Sequence, residues 1–301
     1  MPLIALPWKS PYDHLALLAF LAQRQIDGVE QVQCTEGQAL YRSTLELPGT
    51  GGHRGWLQVQ LDGERQQALL TLDEALAPCR DEVVRRVRHL LDLDTDPAPI
   101  ARVLHADFPH GDGLRVPGAL QGFALAVRAI LGQQVTVAAA RTLAQRLAER
   151  FGAPLETPWP ALNRLFPSPE VLAHASGDAL GQLGIVRQRQ AAITALARAV
   201  SEGQIDLQPG ADMPATVQAL RALPGIGDWT AQYIAMRALR CSDAFVAGDV
   251  ALHNALGLRG EKAPARAALE RAQAWRPWRA YAVLRAWHAL PAQPRRGKKA
   301  G

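Results

Sequence analysis

Cysteine is scarce in this chain. Cys34, Cys79 and Cys241 are the only three among 301 residues, and no two of them form a CxxC pair. A four-cysteine zinc or iron–sulfur site is therefore excluded within one chain. The odd count argues against a disulfide framework and for reduced, intracellular thiols. Lysine is nearly as scarce: Lys9, Lys262, Lys298 and Lys299 are the full set, leaving arginine as the other 29 of the 33 basic residues. No apolar run reaches the ~18 residues of a membrane span. The opening MPLIALPWKSPYDH lacks a basic stretch followed by an apolar core, so no secretory signal is read there. A cytoplasmic location without a membrane partner is expected.

What is present reads as globular. Hydrophobic residues make up 48% and charged residues 20%. That balance disfavours disorder and collagen-like repeats. The length fits two or three domains better than one. The formal net charge is +5. An arginine excess suits a phosphate-bearing partner, because the guanidinium fork matches phosphate oxygens. It is equally compatible with genomic base composition, so by itself the charge is weak evidence.

The first ninety or so residues read as mixed α and β. Ser10-Pro11-Tyr12-Asp13 is a helix-start signal, followed by Leu15, Leu18, Phe20 and Leu21 at near-helical spacing. Trp56, Val59 and Leu61 belong to one strand-like run and Ala68–Leu72 to another, with an Asp62-Gly63 turn between them. Pro48–Gly52 is a loop by composition, and Val83, Val84, Val87, Leu90 and Leu91 share one side of a second helix. An antiparallel sheet backed by helices is expected here. From about Pro97 the pattern turns helical. Ala119–Phe151 reads as one long apolar-periodic region, and Pro154–Pro169 as loop with short helical turns. Two helix–loop–helix segments follow, through Leu180–Ile185 and through Leu220–Gly227, a weak internal echo rather than a repeat array. Pro291–Gly301 is a polar, basic tail.

The most informative string is Leu223-Pro224-Gly225-Ile226-Gly227-Asp228-Trp229-Thr230-Ala231. Two glycines flank an apolar residue just before an amphipathic helix. Gly225 and Gly227 can take positive φ and leave room for a close backbone approach. Ile226 can plug the turn into the core, so that the free N–H groups point outward as an anion-binding nest. A bare GxG would be read as a glycine-capped turn. Downstream, Gly248 breaks an apolar stretch and Asp249 opens the next helical pattern, one helix plus a loop beyond Gly227. Most aspartates at that place are N-caps, and a carboxylate can be an N-cap and chemically active at once.

Together these motifs resemble the helix-hairpin-helix–Gly/Pro-Asp superfamily of DNA base-excision glycosylases. Pro11-Tyr12-Asp13, Ala129-Ile130-Leu131-Gly132-Gln133 and Trp275-Arg276-Pro277-Trp278-Arg279-Ala280-Tyr281-Ala282 look like its DNA-3-methyladenine glycosylase II branch, over nearly the whole chain. The resemblance implies a mainly α protein with an N-terminal α+β domain and two helical lobes flanking an active-site cleft. Its expected parts are the α+β domain over 1–97, a hairpin-bearing helical domain over 118–241, a second helical domain from 98–117 and 242–290, and the tail. It implies a monomer that acts on duplex DNA with alkylated bases, in a bacterial, nucleoid-associated setting. No cofactor is expected for the reaction.

By the same resemblance Asp249 is the catalytic carboxylate, while Asp228 and Asp243 are not. The base pocket is Phe20, Trp229, Tyr233 and Trp287, where stacking and cation–π attraction favour a flipped cationic base. Gly225, Ile226, Gly227, Asp228 and Thr230 hold the DNA backbone. Carbonyls of Arg221, Leu223 and Ile226 hold a structural Na+ or K+. Gln134 takes the wedge position that fills the gap left by the flipped base. Three departures stand out. Val250 occupies the position of a family aromatic. Trp229 occupies that of the amine nucleophile in strand-cutting members, with no lysine between Lys9 and Lys262. The cluster-bearing members need a fourth cysteine. Base hydrolysis without strand cleavage is therefore expected. The alternatives are a non-catalytic helix–hairpin–helix binding module, which needs neither Asp249 nor an aromatic cleft, and a glycosylase for oxidised, deaminated or mismatched bases. A generic nucleotide site is poorly supported, since no strand precedes the GxG and no P-loop lysine follows.

Overall fold

The computed structural model describes residues 3–35, 38–47 and 52–290. Five strands, β1 (Ile4–Pro7), β2 (Glu30–Thr35), β3 (Gln38–Glu46), β4 (Arg54–Asp62) and β5 (Gln67–Leu72), form one antiparallel sheet in the order β1-β5-β4-β3-β2. Strict alternation sets its faces: Leu57, Val59 and Leu61 of β4 point inward and lie beside Leu72, Leu70 and Ala68 of β5. The sheet packs on α1 (His14–Ala22) and α2 (Arg80–Leu91). Asp13 caps α1 by accepting the Ala16 N–H at 2.8 Å, the usual role of an aspartate at a helix start. The α2 residues Val83, Val87, Leu90 and Leu91 are buried at helical spacing. Of the strands, β4 and β5 are those expected from sequence. β1 is short, and β2 is too polar to announce itself, with Glu30, Gln31 and Gln33 in six residues. Most of the expected Pro48–Gly52 loop, and the 291–301 tail, lie outside the described residues.

The remainder is helical: α3 (Pro97–Leu104), α4 (Gly122–Leu131), α5 (Val137–Phe151), α6 (Pro169–Ala173), α7 (Gly177–Gln182), α8 (Arg187–Ser201), α9 (Met213–Ala222), α10 (Asp228–Arg237), α11 (Val250–Ala255), α12 (Pro264–Arg271) and α13 (Arg279–His288). The single long region expected over 119–151 is two helices. Gln134 adopts φ +54° between them, a left-handed value that no helix can continue through. Thr136 restarts the chain as N-cap of α5. The apolar period runs through the break because both helices face the same core. Segment 154–169 is tied down by strand-like bridges, Gly28 to Leu162 and Pro154 to Arg164, instead of helical turns.

Buried side chains fall into three clusters. One lies under the sheet and includes Leu18, Tyr41, Leu57, Leu70 and Leu120. A second gathers α4, α5 and α8–α10, and recruits Ile26 and Val29 from the N-terminal part. A third joins Ile100, Leu104 and Leu114 to Phe245, Trp275 and Val283, across a long stretch of sequence. Helix α10 serves two of them, sending Ile234 into the second and Ala235 and Met236 into the third. Its remaining face, with Trp229 and Tyr233, is left half-buried beside the third. No helix among the described residues is long and apolar enough to cross a membrane.

Candidate active site

The hairpin joins α9 to α10. Gly225 has φ +75°, a conformation that only glycine takes without strain. Its back is against α8, where an added Cβ would meet Ala192 Cβ at 3.1 Å and the Gln188 carbonyl at 3.4 Å. Ile226 is 4% exposed and plugs the second cluster. Gly227 departs from expectation: its φ is −82°, open to any residue. Nothing lies within 4 Å of a Cβ placed there. Gly227 is thus explained by neither backbone strain nor internal crowding. It keeps the N-terminus of α10 bare, with no side chain capping the first N–H groups. Asp228 is exposed and paired with Arg221 of α9. Thr230 is buried, and its hydroxyl accepts a bond from Gln133 Nε2 at 2.9 Å. Towards a ligand, Ile226 and Thr230 therefore present backbone, not side chains.

One helix later the chain returns to the same neighbourhood. Asp249 caps α11, and its Oδ1 accepts the Leu252 N–H at 2.7 Å. Trp287 of α13 donates its indole N–H to that same oxygen at 2.9 Å. Trp229 of α10 donates to Oδ2 at 3.0 Å. The carboxylate is half-buried and meets three neutral N–H donors, with no ion pair to it among the described residues. The two rival aspartates are occupied otherwise: Asp228 by Arg221, and Asp243 by Arg276 at 2.8 Å and Arg279 at 2.7 Å. Asp243 thus anchors the start of α13. His253 bonds the Ala247 carbonyl at 2.6 Å and steadies the loop that delivers Asp249.

The aromatics meet beside this carboxylate. Trp229 and Tyr233 lie one turn apart on α10 and so share a face. They stack with centroids 5.3 Å apart at 9°. That spacing leaves no slot for a planar ring between them, so they form one wall. Trp287 leans on Tyr233 at 6.3 Å and 44°. Val250, next to Asp249, is 69% exposed. Phe20 joins this wall through two arginines. Arg24 covers its ring at 3.6 Å, and Arg237 lies 4.9 Å from its centroid, both within cation–π range. Arg237 also donates to the Tyr233 hydroxyl at 2.9 Å and to the carbonyls of Pro117 and Gly118. Burial, with the Arg237 and Arg128 charges added, pushes Arg24 down to about 10. Burial raises the Tyr233 phenol, but Arg237 and Arg24 outweigh it, so the net shift is downward. These two arginines escape a motif reading. Each lies four residues after an aromatic, Arg237 at the end of α10 and Arg24 just past the end of α1, and that spacing is the trace they leave in the sequence.

Gln134 stands exposed at the tip between α4 and α5. The carbonyls of Arg221, Leu223 and Ile226 lie in and just after the last turn of α9. The last carbonyls of a helix lack intrahelical partners and carry the negative end of its dipole. Leu223 O also accepts the Ile226 N–H at 3.3 Å, which holds the turn.

Residues 3–121 match the AlkA N-terminal domain, and residues 127–279 match the family described as HhH-GPD superfamily base excision DNA repair protein. The chain is 34% identical over 290 residues to DNA-3-methyladenine glycosylase 2 of Escherichia coli, covering 96% of this chain and 98% of that one. It is 36% identical over 295 residues to the "Probable bifunctional transcriptional activator/DNA repair enzyme AlkA" of Mycobacterium tuberculosis. That match covers 95% of this chain but 57% of the other, so the chain spans little more than half the length of that relative. Among solved structures, the 3-methyladenine DNA-glycosylase of Archaeoglobus fulgidus superposes with a TM-score of 0.77 at 20% identity, covering 95% of this chain and 97% of that one. At that identity the likeness speaks for the fold alone.

Proposed function

The chain belongs to the HhH-GPD superfamily of base excision DNA repair proteins, and from that premise we propose that it is a monofunctional glycosylase for alkylated bases in duplex DNA. The observation that carries this reading is the meeting of Asp249 with the indole N–H groups of Trp229 and Trp287 at the start of α11. A binding module has no use for a carboxylate held by two indole N–H groups with no ion pair among the described residues.

The hairpin grips a phosphate with the bare N–H groups of Gly227 and the first turn of α10, while arginines supply a sequence-independent attraction. Residues Arg221, Leu223 and Ile226 would hold a monovalent cation through their carbonyls, and that cation would add positive charge beside the phosphate. Gln134 fills the gap left when the damaged nucleotide swings out. The base then stacks on the Trp229–Tyr233 wall, not between the two rings.

Bond cleavage leaves the glycosidic electron pair on the base nitrogen and positive character on the sugar. A cationic alkylated base becomes neutral on leaving, so it needs no proton from an acid. Asp249 stabilises the sugar cation by its charge. A carboxylate oxygen accepts two hydrogen bonds in its plane. Oδ1 already has two, whereas Oδ2 has one. Oδ2 is therefore free to receive the proton of the attacking water. The water oxygen bonds to the sugar carbon, giving an abasic site in an unbroken strand.

The test is incubation of the chain with methylated duplex DNA in the presence of chelator, followed by chromatography of the supernatant and sizing of the strand. Free methylated base with an intact strand is the expected result. DNA binding without base release would return the protein to the binding-module class, and strand cleavage would remove the monofunctional assignment.

A further inference from the structure

Gln133 precedes the exposed Gln134 and points the other way. Its side-chain N–H2 donates to the Gly225 carbonyl at 2.8 Å and to Thr230 Oγ1 at 2.9 Å. These partners stand on either side of the bare N–H groups of the hairpin, one before Gly227 and one in the first turn of α10. The main-chain carbonyl of Gln133 accepts from Arg189 of α8, and its N–H donates to the Ile130 carbonyl at 3.3 Å. Gly225 rests on the same helix α8. The tip that carries Gln134 is therefore fastened to the hairpin directly, and to α8 as a shared base. Gln134 itself is held at φ +54°. Non-glycine residues populate that region sparsely, and it persists where neighbours impose it.

A wedge can enter a base stack only if its support does not yield. Phosphate held at the hairpin fixes the position of the duplex, and the Gln133 amide fixes the tip relative to that phosphate. We propose that Gln133 is a positioning residue that couples the phosphate grip to the wedge, so that binding of the strand sets the depth at which Gln134 enters the stack. This inference rests on the glycosylase reading above and deepens it. Gln133 does not touch the base; it acts through Gln134 and through the hairpin backbone.

The link should matter where a base must be levered out and matter little where it is already loose. The experiment is single-turnover release of 7-methylguanine from two duplexes, one with the lesion paired to cytosine and one with it opposite an abasic site. Gln133→Ala is expected to slow release from the paired duplex about tenfold, the scale of two neutral hydrogen bonds, and to slow the unpaired one by only about threefold or less. Gln133→Glu keeps the length but has no N–H to donate, and should behave like Gln133→Ala. In a Gln134→Ala background, Gln133→Ala should add little further loss on the paired duplex. Thr230→Val removes one acceptor, keeps the Gly225 bond, and should give a smaller loss of the same kind. It serves if the Gln133 variants melt early. An equal loss on both duplexes, or full additivity with Gln134→Ala, would show a merely structural role and overturn the coupling. If the wild-type chain frees no base at all, the glycosylase reading falls and takes this inference with it. If the wild type works and the variant ratio is flat, only the coupling falls.

Discussion

Two helix N-termini in this site, at Gly227 and at Asp249, are finished in opposite ways. Helix α10 begins at Gly227, with no side chain over its first N–H groups and open space in front of them. Helix α11 begins at Asp249, whose own carboxylate satisfies the Leu252 N–H. Both ends carry the positive pole of a helix. The first is left unsatisfied and is available to an external anion. The second is neutralised by an internal one, which is thereby fixed in place and still has acceptor capacity on Oδ2. The first hairpin-like turn, before α8, sharpens the contrast. Gly184 has φ +85° and Ile185 is buried, as Gly225 and Ile226 are. The next residue, however, is Val186, 56% exposed, in place of Gly227. The plug, the turn and the lack of a side-chain cap are shared; what differs is that Val186 carries an exposed side chain at the N-cap position, where Gly227 carries none.

The strongest way to break the comparison is to keep the cap at α11 and remove its charge. Asp249→Asn preserves shape and still caps the helix, since Asn and Asp serve nearly alike there. The melting temperature should fall only slightly, because the amide N–H2 that takes the place of Oδ2 no longer accepts the Trp229 indole N–H. Base release should fall by about 10²–10³-fold or more, the scale of losing a preorganised electrostatic group at a developing charge. Binding to an abasic duplex should stay close to wild type. Single-turnover release and a binding titration on the same preparation check both halves. Full activity in this variant would leave Asp249 as a cap and nothing more.

Much of this contrast is legible in the sequence, because both helix starts are written in local residues. The Leu-Pro-Gly-Ile-Gly string marks the hairpin, and Gly248-Asp249 before an apolar run marks the cap. What is not legible is long-range. The sequence does not show that Trp287 reaches Asp249 from 38 residues away, or that Gln133 finds Gly225 from 92 away. It misleads on Gly227, since a glycine in a GxG turn reads as a backbone need, whereas φ −82° is open to any residue and nothing crowds the position. The break at Gln134 is hidden by an apolar period that continues through it. Strands β1–β3 are obscured by shortness, polar content or both, since their pairing is decided by neighbours rather than by pattern.

A second way to break the comparison is to finish α10 as α11 is finished. Gly227→Asp has no steric obstacle and an ordinary φ to occupy. A carboxylate there should cap the helix and raise stability by about a few tenths of a kcal/mol. It should also occupy the N–H groups and repel phosphate, weakening affinity for an abasic duplex about tenfold, which is ~1.4 kcal/mol. Stability and affinity thus move in opposite directions, a pattern that simple damage to the hairpin cannot produce. A thermal melt alongside a binding titration reads both signs. Unchanged affinity would mean that the bare helix end is not where the strand is held.

The finest test asks how much of the α11 arrangement depends on its indole clamps. Trp287→Phe keeps an aromatic ring near Tyr233 but deletes the N–H to Asp249 Oδ1. That oxygen retains the Leu252 N–H, so the carboxylate stays capped and loses only one of its three donors. The loss should be about fivefold in the single-turnover rate, close to one hydrogen bond of ~1 kcal/mol. Trp229→Phe removes the donor to Oδ2, the oxygen assigned to the attacking water. It frees that oxygen while it loosens the group, so its effect on rate should be smaller than that of Trp287→Phe. Equal losses would show that the two oxygens are interchangeable, and that the division of labour between Oδ1 and Oδ2 does not hold.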